Sequence, residues 1–167
     1  MATHNLIQAR LLAGKVFFLK QGRLAQAGSA AEVLSRPLSL DIAEFSAAEN
    51  ILSGTLARRG GGTVLNCGPL AIEVVSERAA GKAAAVIRPE DILVSPRPIA
   101  SSARNSFRGT VLTLADLGAV IALSVDCSGV LFSVFLTRVS CAQMGLAAGS
   151  DVTLTFKATS VRLFPQD

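Results

Sequence analysis

Tryptophan and tyrosine are absent from this 167-residue sequence, histidine occurs once, at His4, and cysteine three times. Each shortage closes off a class of function. Single-stranded nucleic acid is gripped by aromatic platforms set in a basic groove, yet most of the eight phenylalanines here sit in apolar runs that read as core. With a single histidine, a His-based metal site or a Ser/His/Asp triad is hard to build. Cys67, Cys127 and Cys141 are odd in number and far apart, with no CxxC pair, so they fit neither a disulfide framework nor a zinc knuckle and read as reduced and mostly buried. Long apolar runs are missing too. The longest, Gly118 to Leu123 and Gly129 to Leu136, fall far short of the roughly 18 to 20 residues a bilayer requires. The first residues lack the basic start, long apolar stretch and cleavage site of a secretory signal. The expectation is a cytoplasmic chain with no membrane insertion, no metal and no nucleic-acid partner.

What is present is apolar and mildly basic. Half of the residues are hydrophobic, enough for one ordinary core or two small ones. Sixteen Lys and Arg face twelve acids for a net charge of +4, and twelve of the sixteen are Arg, scattered rather than clustered. Arginine's planar fork suits bidentate contact with oxyanions, so the bias is compatible with a small anionic ligand, although a solvated basic surface explains most of it.

Along the chain, Leu6, Ala9 and Ala13 give helical spacing over Thr3 to Ala13. Val16 to Leu19 and Leu24 to Ala27 read as strands joined by a Gln21-Gly22 turn. Ser29 with Glu32 is a capping box opening a helix that ends before Pro37, and Leu40 to Phe45 adds another turn or two. This α/β fragment is too small to close a core alone. Near residue 49 the pattern changes to short strands of period two: Ile51 to Ala57, Thr63 to Leu65, Leu70 to Val75, Ala83 to Ile87 and Ile92 to Val94, with a corner at Arg88-Pro89-Glu90-Asp91. After a Pro-rich connector, Phe107 to Leu114, Val120 to Val125, Val130 to Leu136 and Val152 to Phe156 follow, interrupted only by a short helix over Arg138 to Gly145. Val152, Leu154 and Phe156 face one way, Thr153 and Thr155 the other. Strands at this spacing predict a mainly β domain, an OB-like small barrel.

No Walker A motif is present. The pairs Gly14-Lys15 and Gly81-Lys82 are followed by Val and Ala and lack the upstream glycine of a phosphate loop, and Gly60-Gly61-Gly62 opens no helix. Thr3-His4-Asn5, the stretch Leu19 to Gly28, Glu32-Val33-Leu34 with Arg36-Pro37, Ile42 to Phe45, and Ala48 to Leu52 with Gly54 nevertheless run in the order seen at the end of an ABC transporter ATPase domain. The first part of the chain resembles that family. The resemblance implies that His4 matches the switch histidine that senses the γ-phosphate, with Asn5 where Asp is usual. Without the upstream core His4 is expected to be idle, an exposed residue near a terminus.

The second part resembles the TOBE or Mop regulatory domain of molybdate and tungstate importers. Ile87-Arg88-Pro89-Glu90-Asp91, Ser102-Ala103-Arg104-Asn105 with Gly109, Thr137-Arg138 with Ser140, Gly145-Leu146 with Gly149, and Phe156-Lys157-Ala158-Thr159 carry it. The resemblance implies residues 1–49 as a short α/β remnant of an ATPase domain, and residues 50–167 as an OB-like TOBE domain with a Mop-like module at 101–167. It implies an oxyanion site of Ser102, Arg104, Asn105, Lys157 and Thr159 for molybdate or tungstate, with no cofactor in this chain and ATP and Mg²⁺ only in the complete ATPase. A tetrahedral dianion needs several convergent donors, and these side chains supply hydroxyls, a guanidinium, an ammonium and an amide. The implied role is to sense intracellular oxyanion and restrain transport, as a homodimer formed through the β domain, with the ATPase docked on a membrane subunit at the inner face of the plasma membrane. The alternative is a ligand-free dimerisation domain of an ABC ATPase for another substrate. Asp116 and Asp126, tempting as a carboxylate pair, read as turn residues.

Overall fold

The computed structural model describes residues 14–29, 32–33, 37–45, 50–78, 80–118 and 120–166. The helix expected over Thr3 to Ala13, and His4 within it, lie outside these residues. The chain divides into two compact units, Met1–Ala48 and Glu49–Asp167.

In the first unit, β1 (Val16–Lys20) and β2 (Arg23–Gly28) form an antiparallel hairpin. Its two-residue turn puts Gln21 and Gly22 at φ 49° and 75°, the left-handed pair that matches strand twist. Phe17, Leu19 and Leu24 share one face of the hairpin and are exposed. The capping box forms: Ser29 N–H donates to Glu32 Oε2 at 2.9 Å and Glu32 N–H to Ser29 Oγ at 3.1 Å. Helix α1 (Leu40–Phe45) buries Ile42 and Ala43, and Lys20 bonds Asp41, holding that carboxyl below its usual range.

The second unit is mainly β, as its alternating pattern predicts. Its strands are β3 (Asn50–Arg59), β4 (Gly62–Cys67), β5 (Leu70–Val74), β6 (Gly81–Ile87), β7 (Leu93–Ser95), β8 (Asn105–Asp116), β9 (Ile121–Cys127), β10 (Val130–Leu136), β11 (Asp151–Phe156) and β12 (Arg162–Pro165). They form two antiparallel five-stranded sheets, in the orders β12-β6-β3-β4-β5 and β10-β9-β8-β11-β7. The short helix α2 (Arg138–Gln143) is capped by Thr137, whose hydroxyl accepts from Ser140 N–H at 3.1 Å. One core joins both sheets, from Leu52, Leu65, Ile72 and Ile87 to Val125, Phe132, Leu154 and Phe156. Thr153 and Thr155, expected to face away from it, are buried as well.

The two sheets are copies of one plan, a feature not apparent from strand spacing alone. Asn50↔Ile87, Leu56↔Leu65 and Leu65↔Ile72 in the first match Asn105↔Phe156, Val111↔Val125 and Val125↔Phe132 in the second. A 3₁₀ turn, Pro89–Asp91 or Ala158–Ser160, follows the fourth strand of each half, and the last strand then crosses over. β7 pairs with β11 of the second half, and β12 pairs with β6 of the first. Each half thus completes the other's sheet. The exchange covers one edge of β6 and one of β11 that would otherwise be open to aggregation.

Two pairs of matching residues hold this arrangement. Gly54 and Gly109 stand where a Cβ would meet the next strand, 2.2 Å from the Asn66 carbonyl oxygen and 2.7 Å from that of Asp126. Asn50 and Asn105, each opening its strand, are buried and reach across to the other half. Asn105 Nδ2 donates to the Glu73 carbonyl at 2.9 Å and its Oδ1 accepts from Glu73 N–H at 2.8 Å. Asn50 makes the same two bonds with Ser133, at 2.8 and 2.7 Å.

Candidate functional site

The register decides which of the expected ligand groups meet. Asn105↔Phe156 is the last pair of the β8–β11 ladder. Arg104 and Lys157 are the next residues outward on the two strands, so both cations leave the same end of the sheet. Both are exposed. Lys157 also starts the 3₁₀ turn Ala158–Ser160, which brings Thr159 to this end and packs against β5. Ser102 is exposed on the approach to β8, where Ser101 Oγ accepts from Ala103 N–H at 3.2 Å.

Asn105 differs from its neighbours. Its amide is buried and both of its functions are taken by the Glu73 backbone. It is a strand clasp, buried where Arg104 and Lys157 are exposed. The resemblance groups it with Arg104 through the segment Ser102-Ala103-Arg104-Asn105, whereas alternation along a strand sends neighbours to opposite faces.

Two residues absent from the expected set border Arg104. Its Nε donates to Glu73 Oε2 at 3.0 Å. Arg104, Glu73 and Arg59 also line a cleft of about 470 Å³ with Thr63, Ser106 and Phe107. Glu73 comes from β5, in the other half of the unit, so only the tertiary pairing brings it here. A second cleft of about 480 Å³ carries Arg97 and Arg108, but Asp126 and Asp151 line it too and offset their charge.

The remaining candidates behave as structural groups. Asp116 Oδ1 accepts from Gly118 N–H at 2.8 Å and pairs with Arg138, and Asp126 Oδ1 accepts from Gly129 N–H at 2.7 Å. They are turn residues, as their positions predict. All three cysteines are free, and burial, then the nearby Asp126, push the Cys127 thiol up to about 11. Among the described residues no group of His, Cys, Asp and Glu could hold a metal, and no helix is long and apolar enough to cross a membrane.

The paired-sheet β unit has counterparts among known proteins. Residues 101–163 match the TOBE domain family, and that stretch is a TOBE domain. The chain is related to ATP-binding subunits of molybdate/tungstate importers. It is 36% identical over 163 residues to the molybdate/tungstate import ATP-binding protein WtpC of Pyrococcus horikoshii, covering 98% of this chain and 46% of that protein. With WtpC of Thermococcus kodakarensis the identity is 42% over 109 residues, covering 65% and 32%. The chain spans about half the length of the curated relatives it matches along its whole length. Among solved structures, the cytoplasmic molybdate-binding protein ModG, crystallised with molybdate bound, shares the fold with a TM-score of 0.63 at 23% identity, over 72% of this chain and 98% of that one.

Proposed function

We propose that this chain is the regulatory, oxyanion-binding portion of an ABC importer ATPase for molybdate or tungstate. The observation that carries the reading is the register, which sets Arg104 and Lys157 just beyond the last pair at one end of the β8–β11 ladder, with Thr159 on the adjoining turn. The names of the relatives and of the structural neighbour supply the ligand class. Ser102, Arg104, Lys157 and Thr159 form the proposed ligand set, and Asn105 holds the strand that carries it.

Charge and exposure argue that the site works between copies of the chain. Exposed ion pairs contribute at most about 1 kcal/mol each, so two exposed cations alone hold an anion only weakly. A second subunit that covers the anion lowers the local dielectric and brings further donors. In this reading the anion bridges two β units of a homodimer and favours an arrangement that restrains the transporter, and by linkage that arrangement binds the anion more tightly than its alternative. ATP hydrolysis, Mg²⁺ and docking on the membrane subunit belong to the complete ATPase, at the cytoplasmic face. Residues 1–49 are then the end of its ATPase domain, and the exposed Phe17, Leu19 and Leu24 a surface the rest of that domain covers.

One observation favours the alternative of a ligand-free dimerisation domain: Glu73 already pairs with Arg104. The melting temperature in molybdate, tungstate, sulfate and phosphate separates the two, because a ligand that binds only the folded state must stabilise it. A selective rise with molybdate or tungstate is expected. A folded dimer that shifts with none of the four contradicts the reading and leaves the assembly role.

A further inference from the structure

The internal duplication gives the β unit two equivalent ends. At one, Asn105↔Phe156 is followed by Lys157 and the turn Ala158–Ser160; at the other, Asn50↔Ile87 is followed by Arg88 and the turn Pro89–Asp91. The backbones agree closely. Lys157 has φ −75° and ψ 143°, and Arg88 −75° and 141°; the residues closing the turns, Val161 and Ile92, have −87° and 119° against −99° and 116°. Each turn packs on the edge strand of the opposite sheet, β5 or β10, that the matching asparagine clasps. The two ends differ in side chains rather than in frame.

Those differences all run one way. Thr159 and Ser160 carry hydroxyls that can donate to an anion, whereas Glu90 and Asp91 stand in their places and, when ionised, only accept. Ala158 has a backbone N–H where Pro89 has none. In sequence, Arg104 precedes Asn105 while Glu49 precedes Asn50. Only the cation after the ladder, Lys157 or Arg88, is common to both.

We propose that, of the two ends the duplication makes equivalent, only the Arg104–Lys157 end takes an oxyanion, and that Glu90, Asp91 and Pro89 exclude it from the other. The inference rests on the oxyanion-binding reading above and adds its stoichiometry and the residues that set it. One half of the duplicated unit keeps the ligand chemistry; the other keeps the frame, the clasp on Ser133 and the strand that completes its partner's sheet.

Equilibrium dialysis of the full chain against tungstate, with folding checked by melting temperature, tests this. Arg104→Ala is expected to weaken binding tenfold or more, and Arg88→Ala to change it less than twofold. With Glu49→Arg supplying the missing second cation, Pro89→Ala/Glu90→Thr/Asp91→Ser is expected to double the tungstate bound per chain at saturation, whereas Glu49→Arg alone adds none. Equal loss in Arg88→Ala and Arg104→Ala overturns the inference while leaving oxyanion binding intact. A folded quadruple variant with no added tungstate, or a full second site in Glu49→Arg alone, overturns the role given to the three turn residues. If the wild type binds no tungstate, the oxyanion-binding reading fails and this inference falls with it.

Discussion

Asn105 clasps the backbone of Glu73 with one donated and one accepted hydrogen bond, and Asn50 clasps Ser133 in the same way. Each asparagine opens the first strand of its half and satisfies an edge strand of the other, so the two bond pairs lock the halves reciprocally. Leaving a buried donor or acceptor unpaired costs about 1–3 kcal/mol each. Asn105→Ala and Asn50→Ala are each expected to destabilise the β unit by about 2–4 kcal/mol in urea unfolding. Losses below ~0.5 kcal/mol would mean the clasps are incidental.

Gly54 and Gly109 lie where β3 and β8 pass closest to their neighbours. An added Cβ at Gly54 would meet backbone, the Asn66 oxygen at 2.2 Å; at Gly109 it would meet Cys127 Sγ at 2.6 Å and the Asp126 oxygen at 2.7 Å. Overpacking of this kind costs about 1–3 kcal/mol. Gly54→Ala is expected to cost the more of the two, because its closest contact is backbone and cannot turn aside. Calorimetric melting of both variants checks the order.

Thr155 is buried with no hydrogen-bond partner for its hydroxyl, and the duplication places Val86 at the same point of the first sheet. Replacing an unpaired buried hydroxyl by a methyl group removes a desolvation cost of about 1–3 kcal/mol. Thr155→Val is expected to raise the melting temperature. A fall would show that the hydroxyl has a bonding role.

Glu73 competes with any anion for Arg104. Exposed ion pairs contribute at most about 1 kcal/mol, and Arg104 is 70% exposed in its side chain. Glu73→Gln is therefore expected to strengthen tungstate binding by up to about fivefold, with little change in stability. Weaker binding in this variant would place Glu73 among the groups that orient the site.

Much of the fold was legible from residue pattern. Alternation found β10 to the residue and its neighbours to within a few, and Gln21-Gly22, Ser29 with Glu32, and Asp126 before Gly129 behave as their turn and cap chemistry requires. β12 was missed. Arg162-Leu163-Phe164-Pro165 is short and ends on proline, and its extended form is completed by pairing with β6, a partner 76 to 82 residues away. The duplication left a thin trace, Asn-x-x-x-Gly-Thr at both Asn50 and Asn105, because one half fills its core with Leu52, Ile72 and Ile87 where the other uses Phe107, Phe132 and Phe156. Of the candidate site, the cations were readable from the resemblance. The clasp of Asn105 and the approach of Glu73 were not, since both depend on strands from opposite halves.

The most direct measurement is an anomalous difference map from crystals of the chain grown with tungstate, since tungsten marks its own position. A peak is expected between Arg104 and Lys157, beside Thr159. A peak only beside Arg88, or only in the cleft of Arg97 and Arg108, would contradict that assignment.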